Sequence, residues 1–95
     1  MKELAITLTS GTDVDVVMTT FDTIVAPVMG TTPPKPTTPL EELGVLLGNL
    51  NDDGDQINDT SSTDNVIHVE CYPKANLAPL RALCAQNGWK VKWDR

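Results

Sequence analysis

The apolar residues of this chain switch from period two to helical period twice, and that switch limits the fold more than any other feature. From Lys2 to Thr9, Leu4, Ile6 and Leu8 point one way while Glu3, Ala5, Thr7 and Thr9 point the other. Alternation over that length predicts a half-buried strand. Ser10-Gly11-Thr12 ends it. Val14, Val17, Met18, Phe21, Ile24, Val25 and Val28 then recur along one helical face. Thr12 is a suitable N-cap, Asp13 and Asp15 suit the positive end of the dipole, and Pro27 and Gly30 mark the stop.

The same pair of signals returns near the other end. Ile67, Val69 and Cys71 alternate with His68, Glu70 and Tyr72, and Pro73 stops the run. Asn76 is placed to cap a helix carrying Leu77, Leu80, Leu83 and Cys84, with Pro79 tolerated in its first turn. Asn87-Gly88 is a helix stop, with Trp89 positioned to fold back as the hydrophobe of a Schellman motif. Trp89, Val91 and Trp93 then alternate with Lys90 and Lys92, predicting a last strand.

Two segments between these units are less regular. Residues 31–39, with four prolines, predict an extended Pro-rich connector. In residues 40–50 the signals conflict. Thr38-Pro39-Leu40-Glu41 has the form of a capping box with proline at the first helical position, which argues for a helix. Gly44, Val45 and Gly48 argue for a strand over 44–50. Residues 51–65 hold one apolar residue, Ile57, and predict an acidic loop. The stretch Asn49 to Gly54, which runs into it, resembles the start of an EF-hand calcium loop, but Thr60 stands where that loop needs a bidentate Glu.

A chain of 95 residues forms one domain over 1–95. The expected fold is α+β: an antiparallel-type sheet with two helices on one face. With 44–50 as a strand the order βαββαβ resembles the ferredoxin-like fold. The alternative is β-α-α-β-α-β, with residues 39–50 helical. The core face should carry Leu4, Ile6, Leu8, Ile67, Val69, Cys71, Trp89, Val91 and Trp93. The open face should carry Thr7, Thr9, His68, Glu70, Tyr72, Lys90 and Lys92.

Charge is the strongest functional signal. Residues 1–64 hold 11 acids against Lys2 and Lys35, a balance of −9, whereas residues 65–95 stand at +3, giving −6 for the chain. Such a field opposes direct binding to nucleic acid and favours basic surfaces. The expectation is a non-enzymatic acidic interaction module whose Glu41, Glu42, Asp52, Asp53, Asp55, Asp59 and Asp64 dock on a protein partner with a basic surface. In size and charge it resembles small acidic phage inhibitors that compete with phosphates for nucleic-acid-binding proteins. The alternatives are a homo-oligomeric or virion subunit and a small-ligand or nucleotide binder.

No catalytic constellation stands out. His68, Glu70 and Lys90 or Lys92 could form an acid–base set on the open face, but an exposed strand histidine with charged neighbours is the plainer reading. No metal site and no cofactor are expected. Cys71 and Cys84 both point at the sheet–helix interface, as core thiols or as a disulfide pair. No membrane span is expected, and the chain reads as cytoplasmic.

Overall fold

A computed structural model describes residues 2–26, 35–52 and 56–93. The elements run β1 (Lys2–Thr7), α1 (Val14–Val25), α2 (Pro39–Asp52), β2 (Ile57–Thr63), β3 (Val66–Cys71), α3 (Ala78–Gln86) and β4 (Lys90–Trp93). The strands form one antiparallel sheet in the order β2-β3-β1-β4. This is a small α+β domain with three helices, one more than the leading expectation.

Alternation sorts the sheet into two unlike faces. Leu4 and Ile6 of β1, Leu8 just after it, and Ile67, Val69 and Cys71 of β3 are buried, in one cluster with Val17 and Phe21 of α1, Leu43 and Leu47 of α2, and Leu80 and Cys84 of α3. At this chain length such burial is the main stabilising term. Trp89 is buried as expected, Val91 is half-buried, and Trp93, although opposite Leu4, is 44% exposed at the outer edge of the sheet.

The segment with conflicting signals is helical, so the strand expected over 44–50 is not there and the alternative assignment of 39–50 holds. Capping decides its start. The Glu41 amide donates to Thr38 Oγ1 at 3.3 Å, and the Thr38 and Thr37 hydroxyls donate to Glu41 Oε1 at 3.1 and 2.8 Å. Pro39 therefore begins a helix rather than ending the connector, of which residues 31–34 lie outside the described residues. The last turn of α2 takes in Asn49 to Asp52, so the EF-hand-like stretch begins on a helix.

Gly44 and Gly48 serve the packing of that helix. A Cβ at Gly44 would lie 2.6 Å from Thr20 Cβ and 2.7 Å from the Val17 carbonyl oxygen. One at Gly48 would lie 2.5 Å from Ile24 Cβ. Both sequence positions advance by four together, so α2 runs in the same sense as α1 and touches it along a small-residue seam.

The fourth strand comes from the expected acidic loop. Residues 57–63 form an edge strand, and a bulge explains why their pattern hides it. Ile57 pairs with Cys71 and Asp59 with Glu70, leaving Asn58 as the extra residue. The insertion lets both Ile57 and Thr60 face the core, although they are three residues apart. The β2–β3 turn is Asp64-Asn65, with Asp64 at φ 54, a left-handed conformation that Asp tolerates better than most residues.

Two caps differ from expectation. Asp13, not Thr12, caps α1 and accepts the Asp15 amide at 3.0 Å. α3 begins after Leu77, which makes no side-chain cap bond, while Asn76 Oδ1 accepts the Ala78 amide at 3.2 Å. The α3 stop is as expected: Gly88 adopts φ 72, its amide donates to Ala85, and the Trp89 amide donates to Cys84 at 2.9 Å.

Candidate functional site

The parallel sense of α1 and α2 puts their two N-termini side by side. A groove of about 440 Å³ lies between them, lined by Asp13, Asp15 and Glu41 toward the N-terminal end and by Val16, Thr19, Thr20, Thr23 and Ile24 along its length. Helix ends account for the acids: Asp13 is the cap of α1, Asp15 lies in its first turn, and Glu41 completes the cap of α2. Each suits the positive end of a helix dipole.

Most polar groups of this groove are poised to accept. Thr20 Oγ1 donates its hydrogen to the Val16 carbonyl at 2.7 Å and Thr23 Oγ1 to that of Thr19 at 2.9 Å. A threonine hydroxyl has one hydrogen, so both oxygens keep only lone pairs for a ligand. Hydrogen bonds from the Thr37 and Thr38 hydroxyls favour the ionised Glu41 carboxyl and hold its pKa below the usual value. Carboxylates with threonine oxygens suit a ligand rich in N–H donors and positive charge.

The structure divides the acids singled out from sequence. Glu41 lines the groove; Glu42 is exposed beside it. Asp52 ends α2, about 16 Å from Glu41 along the helix axis. Asp59 lies on the open sheet face opposite Glu70, and Asp64 forms the hairpin turn. Asp53 and Asp55 lie outside the described residues. Asp13 and Asp15, which the sequence places only at the positive end of a helix dipole, join Glu41 because of how the helices align.

The open face carries two crossing rows. Lys92, Ala5, His68 and Ser61 form one; Glu3, Glu70 and Asp59 form the next. His68 Nδ1 lies 3.8 Å from Glu3 Oε2. Glu70 Oε1 instead accepts from the Asn58 side chain at 2.7 Å, and the Tyr72 hydroxyl donates to Asn58 Oδ1 at 3.2 Å. The expected grouping of His68 with Glu70 is thus divided between two cross-strand rows, while Lys90 pairs across Thr7 and Lys92 across Ala5.

Cys71 and Cys84 are free, buried thiols. Burial raises both pKa values, that of Cys84 to about 11, with the nearby Arg81 charge pulling the other way. Among the described residues no group of three or more His, Cys, Asp or Glu side chains is placed to hold a metal ion, and no helix is long and apolar enough to cross a membrane. Comparison with protein-family models, with curated proteins and with solved structures found no match.

Proposed function

We propose that this protein is a non-enzymatic acidic interaction module that takes a basic segment of a protein partner into the groove between α1 and α2. The observation that carries this reading is the lining: carboxylates at the capped helix ends, and the oxygens of Thr20 and Thr23, whose hydrogens are already committed. A lysine- or arginine-rich strand or loop complements that surface in charge and in donor count. Such segments abound on nucleic-acid-binding proteins, so the module would compete with phosphates for them. The net charge of −6 would speed encounter with such a partner and weaken it as salt rises.

On the same basis we read the fold as a ferredoxin-like βαββαβ arrangement with an added helix in its first crossover. Support comes from the strand order β2-β3-β1-β4 and from helical crossovers joining β1 to β2 and β3 to β4. We assign the protein to the cytoplasm, where free thiols such as Cys71 and Cys84 persist.

Fluorescence anisotropy with a labelled Arg/Lys-rich peptide tests the site. The variant Asp13→Asn/Asp15→Asn/Glu41→Gln keeps side-chain shape and capping oxygens while removing three charges. It should weaken binding at least about tenfold at low salt, a loss of roughly 1.4 kcal/mol. The control Asp52→Asn/Asp59→Asn/Asp64→Asn removes the same charge elsewhere and should weaken binding far less. Equal losses in the two variants would show that net charge alone attracts the peptide, and the groove reading would fail.

A further inference from the structure

We propose that the cleft between the N-terminus of α3 and the outer edge of the sheet binds a small organic anion carried on an apolar body. This cleft is separate from the acidic groove, and the inference does not depend on the reading of that groove.

The cleft has a volume of about 380 Å³, with Tyr72, Pro73, Leu77 and Trp93 among its walls, and Lys2 and Arg81 border it. Small-molecule sites are commonly of this kind: mostly apolar, with a few convergent polar groups, and about 300–1,000 Å³ in size. Here both charged groups are cations. Lys2 Nζ lies 5.5 Å and Arg81 Cζ 5.7 Å from the centroid of the Trp93 ring.

That pairing is unusual for this chain. It has 13 acids against seven cations, yet among the described residues neither Lys2 nor Arg81 has a carboxylate within ion-pair distance. Both cations are thus held at one ring, each by a cation–π contact. A cation–π contact also leaves the N–H donors of both groups available to an acceptor. An anion in the cleft would use those donors and be attracted by both charges. The N-terminal end of α3 borders the same space through Leu77 and Ala78, adding the positive end of its dipole.

The apolar walls assign the rest of the ligand. A bare inorganic anion would leave Tyr72, Pro73 and Leu77 without a counterpart. A nucleic acid strand would meet the −6 charge of the whole molecule. A compact aryl or alkyl group bearing a carboxylate or phosphate meets both conditions. The shared chemistry is the anion on an apolar body, and the headgroup is a matter for measurement.

The Trp93 indole N–H resonance in ¹H–¹⁵N spectra of the full chain is the readout. Phenyl phosphate and benzoate are titrated as the two headgroups, with inorganic phosphate and benzyl alcohol as partial ligands. At least one aryl anion should give a saturable shift of Trp93, and the tighter of the two names the headgroup. Inorganic phosphate, which lacks the apolar body, and benzyl alcohol, which lacks the charge, should each bind at least about tenfold more weakly, as should the aryl anion to Lys2→Gln or Arg81→Gln, where a hydrogen bond to a charged group is lost. The rest of the spectrum should be unchanged in those surface variants. Failure of both aryl anions to saturate overturns the proposal. So does unchanged affinity in the double variant K2Q/R81Q, or inorganic phosphate binding as tightly as phenyl phosphate. A short single-stranded oligonucleotide binding more tightly than either aryl anion would also overturn it, in favour of a nucleic acid site.

Discussion

The helical layer is closed by opposite means at its two ends. Along the α1–α2 seam closure comes from missing atoms: Gly44 and Gly48 let α2 sit directly on Thr20 and Ile24. Beyond α3 it comes from a large side chain, Trp89, folded back by the Schellman turn into the common core. The polarity is opposite as well. The seam borders a groove of acids, whereas α3 borders a cleft of cations. A close-packed interior responds to both deletion and addition of volume, so the two ends should fail under opposite substitutions.

The largest effect should come from deletion at the α3 end. Trp89→Ala leaves a cavity in the core cluster it shares with Leu80 and Cys84 and should cost about 3–5 kcal/mol, read as a lowered urea midpoint. Addition at the seam should come next. Gly44→Ala gains about 1 kcal/mol of helix propensity but drives a methyl into the Val17 carbonyl, and overpacking of this kind costs about 1–3 kcal/mol. With the clash partly against backbone, the expected net is a loss of about 1–2 kcal/mol. A stabilised Gly44→Ala protein would mean that the seam is looser than the contacts describe.

A third substitution, on the sheet beneath the helices, should move stability the other way. Thr60 Oγ1 is buried without a hydrogen-bond partner among the described residues. Thr60→Val keeps the shape, removes the desolvated hydroxyl and should stabilise by about 1 kcal/mol in the same urea titration. A loss would point to a polar partner for that hydroxyl.

The smallest effect concerns Glu41 and depends on pH. Its folded pKa is depressed by the hydroxyls of Thr37 and Thr38. The stability it contributes is therefore present above its unfolded pKa and fades as pH falls through the lower folded value. Urea unfolding of wild type and Glu41→Gln should differ at neutral pH and converge at acid pH below the carboxylate range. A gap that stays constant with pH would assign the effect to something other than the ionised carboxylate.

Legibility in sequence followed the locality of the cause. The strands at Lys2–Thr7 and Val66–Cys71, the stripe of α1 from Val14 to Val25 (Pro27, Val28 and Gly30 lie outside the described residues) and the whole stop of α3 were readable because each rests on neighbouring residues with one period. The Thr38–Glu41 box was a true local signal for α2. The competing glycines misled because their role lies across the seam, against residues 17–24, and a sequence pattern does not distinguish a glycine that breaks a helix from one that lets two helices touch. β2 was illegible for a related reason. It is an edge strand with one apolar residue, and its bulge at Asn58 breaks the alternation by which strands are read.

The sites divide in the same way. Chain order alone determined that acids gather before Lys74 and cations after Pro73, and no folding can change those totals. Tertiary structure decided which of them meet. It set Asp13 and Asp15 beside Glu41 by aligning two helix starts, sent Asp52, Asp59 and Asp64 elsewhere, and drew Lys2 from the far end of the chain to Arg81 and Trp93. Capping, turn and periodic signals act over a few residues, so sequence holds them. A groove is made by residues brought together through packing, and its composition exists only once the seam and the sheet register have formed.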